Sequence, residues 1–240
     1  MATWITHLRV AENLLGLIPG LAEEEFAVGN IAPDSGIPDE KWEKFSPPPE
    51  VTHYKVSKGN LYHLADLEFY HRHLERFHSP ESQPEQYSFL LGYFCHLVTD
   101  NLWSEVIGQP TYQSFKTQFD ADRSFIWEVK KDWYGLDFEY VRDHPDSLYW
   151  RIFMHCCYPV NYLDFLLPEG VRQVIKHIQT YYRQRDEHAI ERLNHPRIYL
   201  SMPEMDAFVE TATSRLHKIY QKLPTVGMNT NRYYSALEIA

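Results

Sequence analysis

The sequence is poor in cysteine and has no long apolar run, and each shortage excludes a class of protein. Its three cysteines, Cys95, Cys156 and Cys157, form neither a C-x-x-C pair nor a disulfide framework. No stretch approaches 18 uncharged apolar residues, so a transmembrane span is not expected. The start of the chain, from Met1 to His7, lacks a basic leader followed by an apolar core, so a secretory signal is not expected either. Together these absences predict a cytoplasmic protein.

Basic side chains are also in the minority, which limits the choice of partner. Among 240 residues there are 33 acidic and 23 basic side chains, a formal charge of −10. A long nucleic-acid groove needs clustered lysine and arginine, so an extended nucleic acid is not expected as a partner. With 44% apolar residues the chain can bury a substantial core. Its length favours a single domain over 1–240, with a polar tail from about 224 that is either loose or lies on the surface.

Strand patterns are scarce, and apolar residues recur mostly at helical spacing. A first helix begins near Trp4 and is ended by Pro19-Gly20. The segment from Asn30 to Gly59 is rich in proline, glycine and small polar residues, which predicts a long loop. Further helices are predicted over about 61–77, 84–107, 121–142, 147–157, 168–185 and 203–223. The predicted fold class is an all-α, multi-helix bundle with a long ordered loop.

One of these apolar helices carries a histidine and an aspartate on a face that should pack in the core. His96 and Asp100 are four residues apart, so on a helix they share a face, which also carries Phe89 and Tyr93. A buried carboxylate needs a partner, and a metal ion satisfies both side chains at once. The alternative is that His96 and Asp100 simply form a hydrogen bond in the core.

Three more residues could complete a metal site. His7 lies on the first helix, Asp34 begins the long loop, and His53 lies within it. Imidazole and carboxylate ligands together favour zinc, or another divalent transition metal, over calcium or magnesium. Each residue also has an ordinary interpretation: Asp34 as a cap or turn residue, His53 as a loop histidine, and His7 as the border of an apolar stripe.

A second group of potential ligands lies in the predicted helix that follows the loop. Its members are His63, Asp66, His71, His73, Glu75 and His78. His71 and Glu75 are one helical turn apart and could bind a metal. Arg72 and Arg76 lie among them, however, and a face of mixed charges is more typical of a solvated surface.

Four stretches carry the first group of candidates in a fixed order. They are Trp4-Ile-Thr-His7, Phe26-Ala-Val-Gly-Asn-Ile-Ala-Pro-Asp34, Thr52-His53 and Gly92-Tyr-Phe-Cys-His-Leu-Val-Thr-Asp100. In this order they resemble the successive motifs of the zinc-dependent phospholipase C family, which shares its all-α fold with fungal single-strand nucleases. Four motifs in order are far more specific than any one of them.

The resemblance implies a role for each candidate residue. His53, His96 and Asp100 would bind one zinc ion, and Asp100 would bridge to a second metal ion held partly by His7. Asp34 would lie against the metal-bound water, where it can orient that water or take its proton. In the family, such a cluster cleaves phosphodiesters.

Two departures from the family pattern reduce the expected number of metal ions to one or two. Secreted members use the free amine of an amino-terminal tryptophan as a ligand, whereas Trp4 follows three other residues. After Asp100 there is no His-x-x-x-Glu, and the nearest substitutes are Glu105, Asp132 and His155.

The sequence therefore predicts a zinc-dependent, phospholipase C-like hydrolase of a small phosphoester or phosphodiester, with Asp34 as the catalytic residue. The alternative is a non-catalytic protein that keeps the metal for stability or binds a ligand in the same pocket. The two differ in what Asp34 does, because only the enzyme needs a carboxylate beside the attacking water.

Overall fold

A computed structural model describes residues 1–41, 43–58, 61–77, 80–81, 83–158, 160–184, 186–226 and 235–239. Within these ranges most residues are helical and the two sheets are very small, which confirms the predicted all-α class. The helices are α1 Trp4–Leu15, α2 Glu23–Gly29, α3 Pro49–Thr52, α4 Asp66–Phe69, α5 Pro84–Trp103, α6 Gln109–Ser114, α7 Lys116–Ala121, α8 Ile126–Asp143, α9 Leu148–Arg151, α10 Pro168–Tyr181, α11 Glu187–Asn194 and α12 Met202–Val226.

Helix α5 runs through the core and is buried over most of its length. A helix that is apolar on all sides needs neighbours on all sides, and α1, α2, α4 and α12 all contact it. At its end, Trp103 packs edge-to-face against Trp133 of α8 and Phe208 of α12, with ring centroids 5.1 and 4.9 Å apart. The two polar residues of α5 that suggested a metal site therefore lie in the core of the protein.

Helices α2 and α5 approach closely because each has a glycine at the crossing. A Cβ atom on Gly29 would lie 2.2 Å from the carbonyl oxygen of Phe89, and one on Gly92 would lie 2.4 Å from that of Phe26. Both distances are too short for any side chain, so only glycine allows this separation. The close crossing brings the end of α2, at Asn30, against the polar face of α5.

The segment predicted as a long loop is ordered and contains short elements. A tight helical turn, Ala32–Asp34, precedes the antiparallel pair β1 Ile37–Pro38 and β2 Phe45–Ser46. After α3, the strand β3 Lys55–Lys58 pairs antiparallel with β4 Leu61–Leu64. The last predicted loop residue, Gly59, lies outside the described residues. These short elements rely on contacts within the segment, which helical periodicity does not reveal.

Several predicted helix limits are wrong. The helix expected over 61–77 begins only at Asp66, because 61–64 pairs as a strand, and it continues as a wider helical turn over Tyr70–Leu74. Helix α8 begins at Ile126 instead of 121, and the helix expected over 147–157 ends at Arg151. Helices α2, α6, α7 and α11 were not predicted at all, because each is too short to show periodicity clearly.

The tail does not lie loosely at the surface where the structure describes it. Ser235, Ala236 and Ile239 are buried, and the Ser235 hydroxyl donates a hydrogen bond of 2.6 Å to Asp66. Residues 227–234 and 240 lie outside the described residues. In the described part of the chain, no helix is both long and apolar enough to cross a membrane. That the whole of 1–240 forms one domain stays a prediction.

Candidate metal centre

The structure brings all five predicted site residues together. His7 comes from α1, Asp34 from the turn after α2, His53 from the residue after α3, and His96 and Asp100 from α5. The ligand atoms of His7, His96 and Asp100 lie within 4.8 Å of one another, and so do those of Asp34, His53 and His96. Residues far apart in the sequence thus form one compact cluster of imidazoles and carboxylates.

The two carboxylate oxygens of Asp100 face different histidines. Oδ1 lies 3.4 Å from Nε2 of His7 and accepts a hydrogen bond of 2.7 Å from the backbone N–H of Ala2. Oδ2 lies 3.5 Å from Nε2 of His96 and 4.0 Å from Nε2 of His53. A carboxylate placed in this way could contact one metal ion through each oxygen, as the resemblance implies for Asp100.

A backbone carbonyl sets the orientation and tautomer of His96. Nδ1 of His96 lies 2.7 Å from the carbonyl oxygen of Asn30. A carbonyl oxygen can only accept, so Nδ1 carries the proton and donates it. In the neutral ring, Nε2 therefore has a free lone pair directed into the cluster, which is the arrangement usual for a metal-binding histidine.

Asp34 and His53 form the more accessible side of the cluster. Nε2 of His53 lies 3.1 Å from Oδ1 of Asp34, while its Nδ1 lies 3.0 Å from the hydroxyl of Thr52. The indole N–H of Trp4 donates a hydrogen bond of 2.9 Å to Oδ2 of Asp34. The Asp34 side chain is 15% exposed and that of Asp100 only 1%, so Asp34 is the more accessible of the two carboxylates.

Several buried polar atoms in the cluster have no hydrogen-bond partner. They are both ring nitrogens of His7, Nε2 of His96 and Oδ2 of Asp100. Buried polar atoms are almost always paired, since each unpaired one costs free energy. A divalent cation would satisfy the atoms that converge here, and neutral imidazoles with carboxylates are ligands that zinc favours. The residues present therefore fit a zinc ion.

The electrostatics of the cluster favour the metal-binding forms of His7 and Asp100. Burial, together with the nearby His96, lowers the pKa of His7 to about 4, so its ring is neutral at neutral pH. Burial raises the pKa of Asp100, but His96 and His7 lower it more, and the net pKa lies well below the usual range. Burial lowers the pKa of His96, but Asp100 raises it by more, so its pKa lies above the usual value.

His96 belongs to both groups of ligand atoms, the one with His7 and Asp100 and the one with Asp34 and His53. This limits how many metal ions the two groups can bind. Nδ1 of His96 is taken by Asn30, so the ring has only Nε2 to offer. His96 can therefore bind one ion, with either His7 and Asp100 or with His53 and Asp34. A second ion would rely on the remaining residues of the cluster.

The downstream substitutes do not join the cluster. Glu105 and His155 are exposed, and Asp132 accepts hydrogen bonds from the backbone N–H groups of Tyr199 and Leu200. Asp132 is therefore a structural residue that holds the chain before α12.

The rival group of potential ligands is also dispersed. Asp66 bonds to Asn101 and Ser235, His73 lies 2.7 Å from the Tyr54 hydroxyl, and His71 pairs with Glu75. His78 lies outside the described residues.

Sequence reasoning missed the groups that hold the cluster in place. The Asn30 carbonyl, the Ala2 N–H and the Trp4 indole each bond to a candidate ligand. Two of these are backbone groups, which do not depend on the residue type and so cannot be recognised from the sequence. The third, Trp4, was visible as part of a motif but not as a partner of Asp34.

Comparison with known proteins agrees with this geometry. Residues 6–103 match the family model described as zinc dependent phospholipase C, a range that contains all five cluster residues. A search of curated proteins finds no match, and neither does a search of solved structures. The resemblance seen in the motifs is confirmed over residues 6–103, which match the model of the zinc-dependent phospholipase C family.

Proposed function

We propose that this protein is a zinc-dependent hydrolase of phosphoesters, and of phosphodiesters in particular. One or two zinc ions would be held by His7, His53, His96 and Asp100, with Asp34 beside them. The observation that carries the proposal is the convergence of unpaired, buried ligand atoms next to a more exposed carboxylate.

The proposed reaction needs little from the protein beyond positioning and one base. Zinc held by these residues would lower the pKa of a bound water and polarise the phosphoryl oxygens. Asp34 orients the attacking water and accepts its proton, while the Trp4 indole holds the carboxylate in place. The water oxygen bonds to phosphorus and the ester P–O bond breaks. The leaving oxygen takes up a proton from solvent, to which Asp34 returns the proton that it accepted. Burial raises the pKa of Asp34 but His53 and His96 lower it more, so the carboxylate is ionised and ready to accept.

The alternative is a non-catalytic protein that uses the metal for stability or binds a ligand at the same place. Such a protein would need the buried ligands His7, His96 and Asp100. It would not need a partly exposed carboxylate that a tryptophan holds at the edge of the cluster. The position of Asp34 therefore favours the enzyme.

The substrate we propose is a small soluble phosphodiester in the cytoplasm. The chain has an excess of acidic side chains, which disfavours long polyanions and anionic membrane surfaces. All three cysteines are free in the structure, and free cysteines suit a reducing compartment.

Elemental analysis combined with a substrate screen tests the proposal. The wild-type protein should contain one to two equivalents of zinc, and Asp100→Ala should lose most of it. Asp39→Ala, which removes an exposed carboxylate from the same segment as Asp34, should keep it. The zinc-loaded wild type should then hydrolyse bis(p-nitrophenyl) phosphate or a related diester. Zinc without turnover of any phosphoester would support the non-catalytic alternative. No zinc would overturn the enzyme and the stabilising metal, and would leave only ligand binding without a metal.

A further inference from the structure

Lys130 lies within electrostatic range of the cluster, on a helix outside the matched family segment. It occupies the first half of α8, where its side chain is half-buried and its ammonium lies 4.9 Å from the ring centroid of Trp127. Both Asp34 and Asp100 act electrostatically on this ammonium. A positive charge thus lies close enough to the two carboxylates of the candidate metal centre to interact with them electrostatically.

The next residue, Lys131, shows what an ordinary surface lysine does on the same helix. Its ammonium pairs with Glu128 at 2.8 Å, and its side chain is 43% exposed. Lys130, by contrast, has no hydrogen-bond acceptor and no ion pair among the described residues. Burial lowers the pKa of Lys130, and only the more distant Asp34 and Asp100 raise it. A half-buried ammonium without an acceptor can still donate hydrogen bonds, and an anion would accept them.

The helix that carries Lys130 is anchored to the cluster. Two turns after Lys130, Asp137 accepts a hydrogen bond of 2.6 Å from the hydroxyl of Thr3. Thr3 caps α1, the helix of His7, and the preceding Ala2 donates to Asp100. Residues 130 and 137 share one face of α8, so the face with Lys130 is the one turned to the cluster.

Aromatic rings continue this face next to Lys130. Tyr134 lies one helical turn after Lys130, and its ring centroid is 6.3 Å from that of Tyr181. Tyr181 in turn lies 6.3 Å from Trp4, whose indole bonds to Asp34. Arg192 lies over Tyr181, 5.0 Å from its centroid. The edge of the cluster therefore combines two cations with half-buried rings, a surface suited to a phosphate that carries an apolar or aromatic group.

We propose that Lys130 binds the phosphoryl oxygens of the substrate at the cluster, with the ring surface of Tyr134 and Tyr181 receiving its organic group. This inference rests on the proposed function, because it assigns a substrate contact to the same site. Lys130 donates hydrogen bonds to the non-bridging oxygens and offsets the repulsion that Asp34 and Asp100 exert on an anion. A hydrogen bond to a charged group is typically worth a factor of about 10 to 100 in affinity.

Binding of inorganic phosphate to zinc-loaded protein tests the inference without relying on turnover. By calorimetry, Lys130→Gln should weaken phosphate binding about 10- to 100-fold, whereas Lys130→Arg should retain most of it. Lys131→Gln is the matched control and should bind phosphate as the wild type does. Elemental analysis and melting temperature should show zinc content and folding unchanged in all three variants. In turnover of a diester, Lys130→Gln should raise KM more than it lowers kcat.

The possible outcomes separate this inference from the proposed function. If the wild type cleaves diesters but Lys130→Gln binds phosphate and turns over substrate normally, the role of Lys130 is wrong and the enzyme proposal stands. If the wild type cleaves nothing but phosphate binding depends on Lys130, the anion site stands without the activity. If zinc-loaded wild type binds no phosphate at millimolar concentration, the role of Lys130 is overturned.

Discussion

The imidazole rings of His7 and His96 lie face to face, with centroids 3.8 Å apart and planes only 7° from parallel. Both rings are fully buried, and in each the Nε2 atom lies near Asp100 without forming a hydrogen bond. Two stacked imidazoles cannot both be protonated without strong repulsion. Their arrangement makes sense if their lone pairs are shared with a cation, with Asp100 supplying the negative charge.

Zinc should therefore stabilise the folded protein. At a free zinc concentration about 100-fold above its dissociation constant, the gain is about 2.7 kcal/mol, or about 5–10 °C in melting temperature for a chain of this size. Differential scanning fluorimetry with and without a chelator measures this change in melting temperature. Asp100→Ala should melt at the same temperature in both conditions. If neither zinc nor chelator changed the melting temperature of the wild type, that result would argue against a metal at this cluster.

Asp34→Asn should separate catalysis from metal binding. The amide keeps the size of the side chain and can still accept the Trp4 indole hydrogen bond, but it cannot take a proton from water. We expect kcat for a diester to fall about 100-fold or more, with little change in melting temperature. Asp39→Asn, an exposed aspartate in the same segment, should behave as the wild type. Equal activity in the two variants would remove Asp34 from the reaction.

The sequence was sufficient to identify the five residues that the structure brings together, because their types are unusual where they occur. A histidine and an aspartate on the buried face of α5 cannot be explained by packing, and ordered motifs linked them to His7, Asp34 and His53. The groups that fix these side chains were hidden. The carbonyl of Asn30 and the N–H of Ala2 belong to the backbone, so the residue types at these positions do not indicate their role.

Prediction of the fold was also limited to what the residue types and their spacing reveal. Long amphipathic or apolar helices such as α5 were predicted well, because periodicity accumulates over many residues. Short elements such as β3, β4 and α11 depend on tertiary contacts and were not. The burial of Ser235 against Asp66 joins residues 169 positions apart, which a local pattern cannot show.

Gly92→Ala should disturb the cluster from a distance. A Cβ at this position would lie 2.4 Å from the carbonyl oxygen of Phe26, so α2 and α5 must separate. That movement would displace the Asn30 carbonyl, which fixes the tautomer of His96. We expect a loss of about 1–3 kcal/mol in the free energy of unfolding, together with weaker zinc binding. Denaturant titration and calorimetry measure the two effects.

Gly108→Ala is the control for that substitution. There the new Cβ would meet its nearest heavy atom, the carbonyl oxygen of Trp103, only at an ordinary 3.7 Å. Stability and zinc affinity should be unchanged or slightly improved, since alanine favours helix over glycine. If both variants lost zinc equally, the close crossing of α2 and α5 would not be what positions His96.

Asp137 should make stability fall as pH rises. Burial raises its pKa to about 7, although the hydroxyls of Thr3 and Tyr182 partly offset that effect. The folded state then keeps this proton between about pH 4 and pH 7, whereas the unfolded state has lost it. Stability falls with pH wherever the unfolded state binds fewer protons, so this contribution is largest near pH 4 and is lost by about pH 7.

Asp137→Asn removes that titration while keeping a polar side chain for Thr3 and Tyr182. Relative to the wild type, the variant should gain about 1–4 kcal/mol in the free energy of unfolding between pH 5 and pH 8. Taking the difference between variant and wild type at each pH cancels the titration of the cluster histidines. Urea unfolding at the two pH values, with zinc present throughout, supplies the measurement. A difference that does not change with pH would mean that Asp137 is already ionised at pH 5, and that Thr3 and Tyr182 stabilise its charge more than burial opposes it.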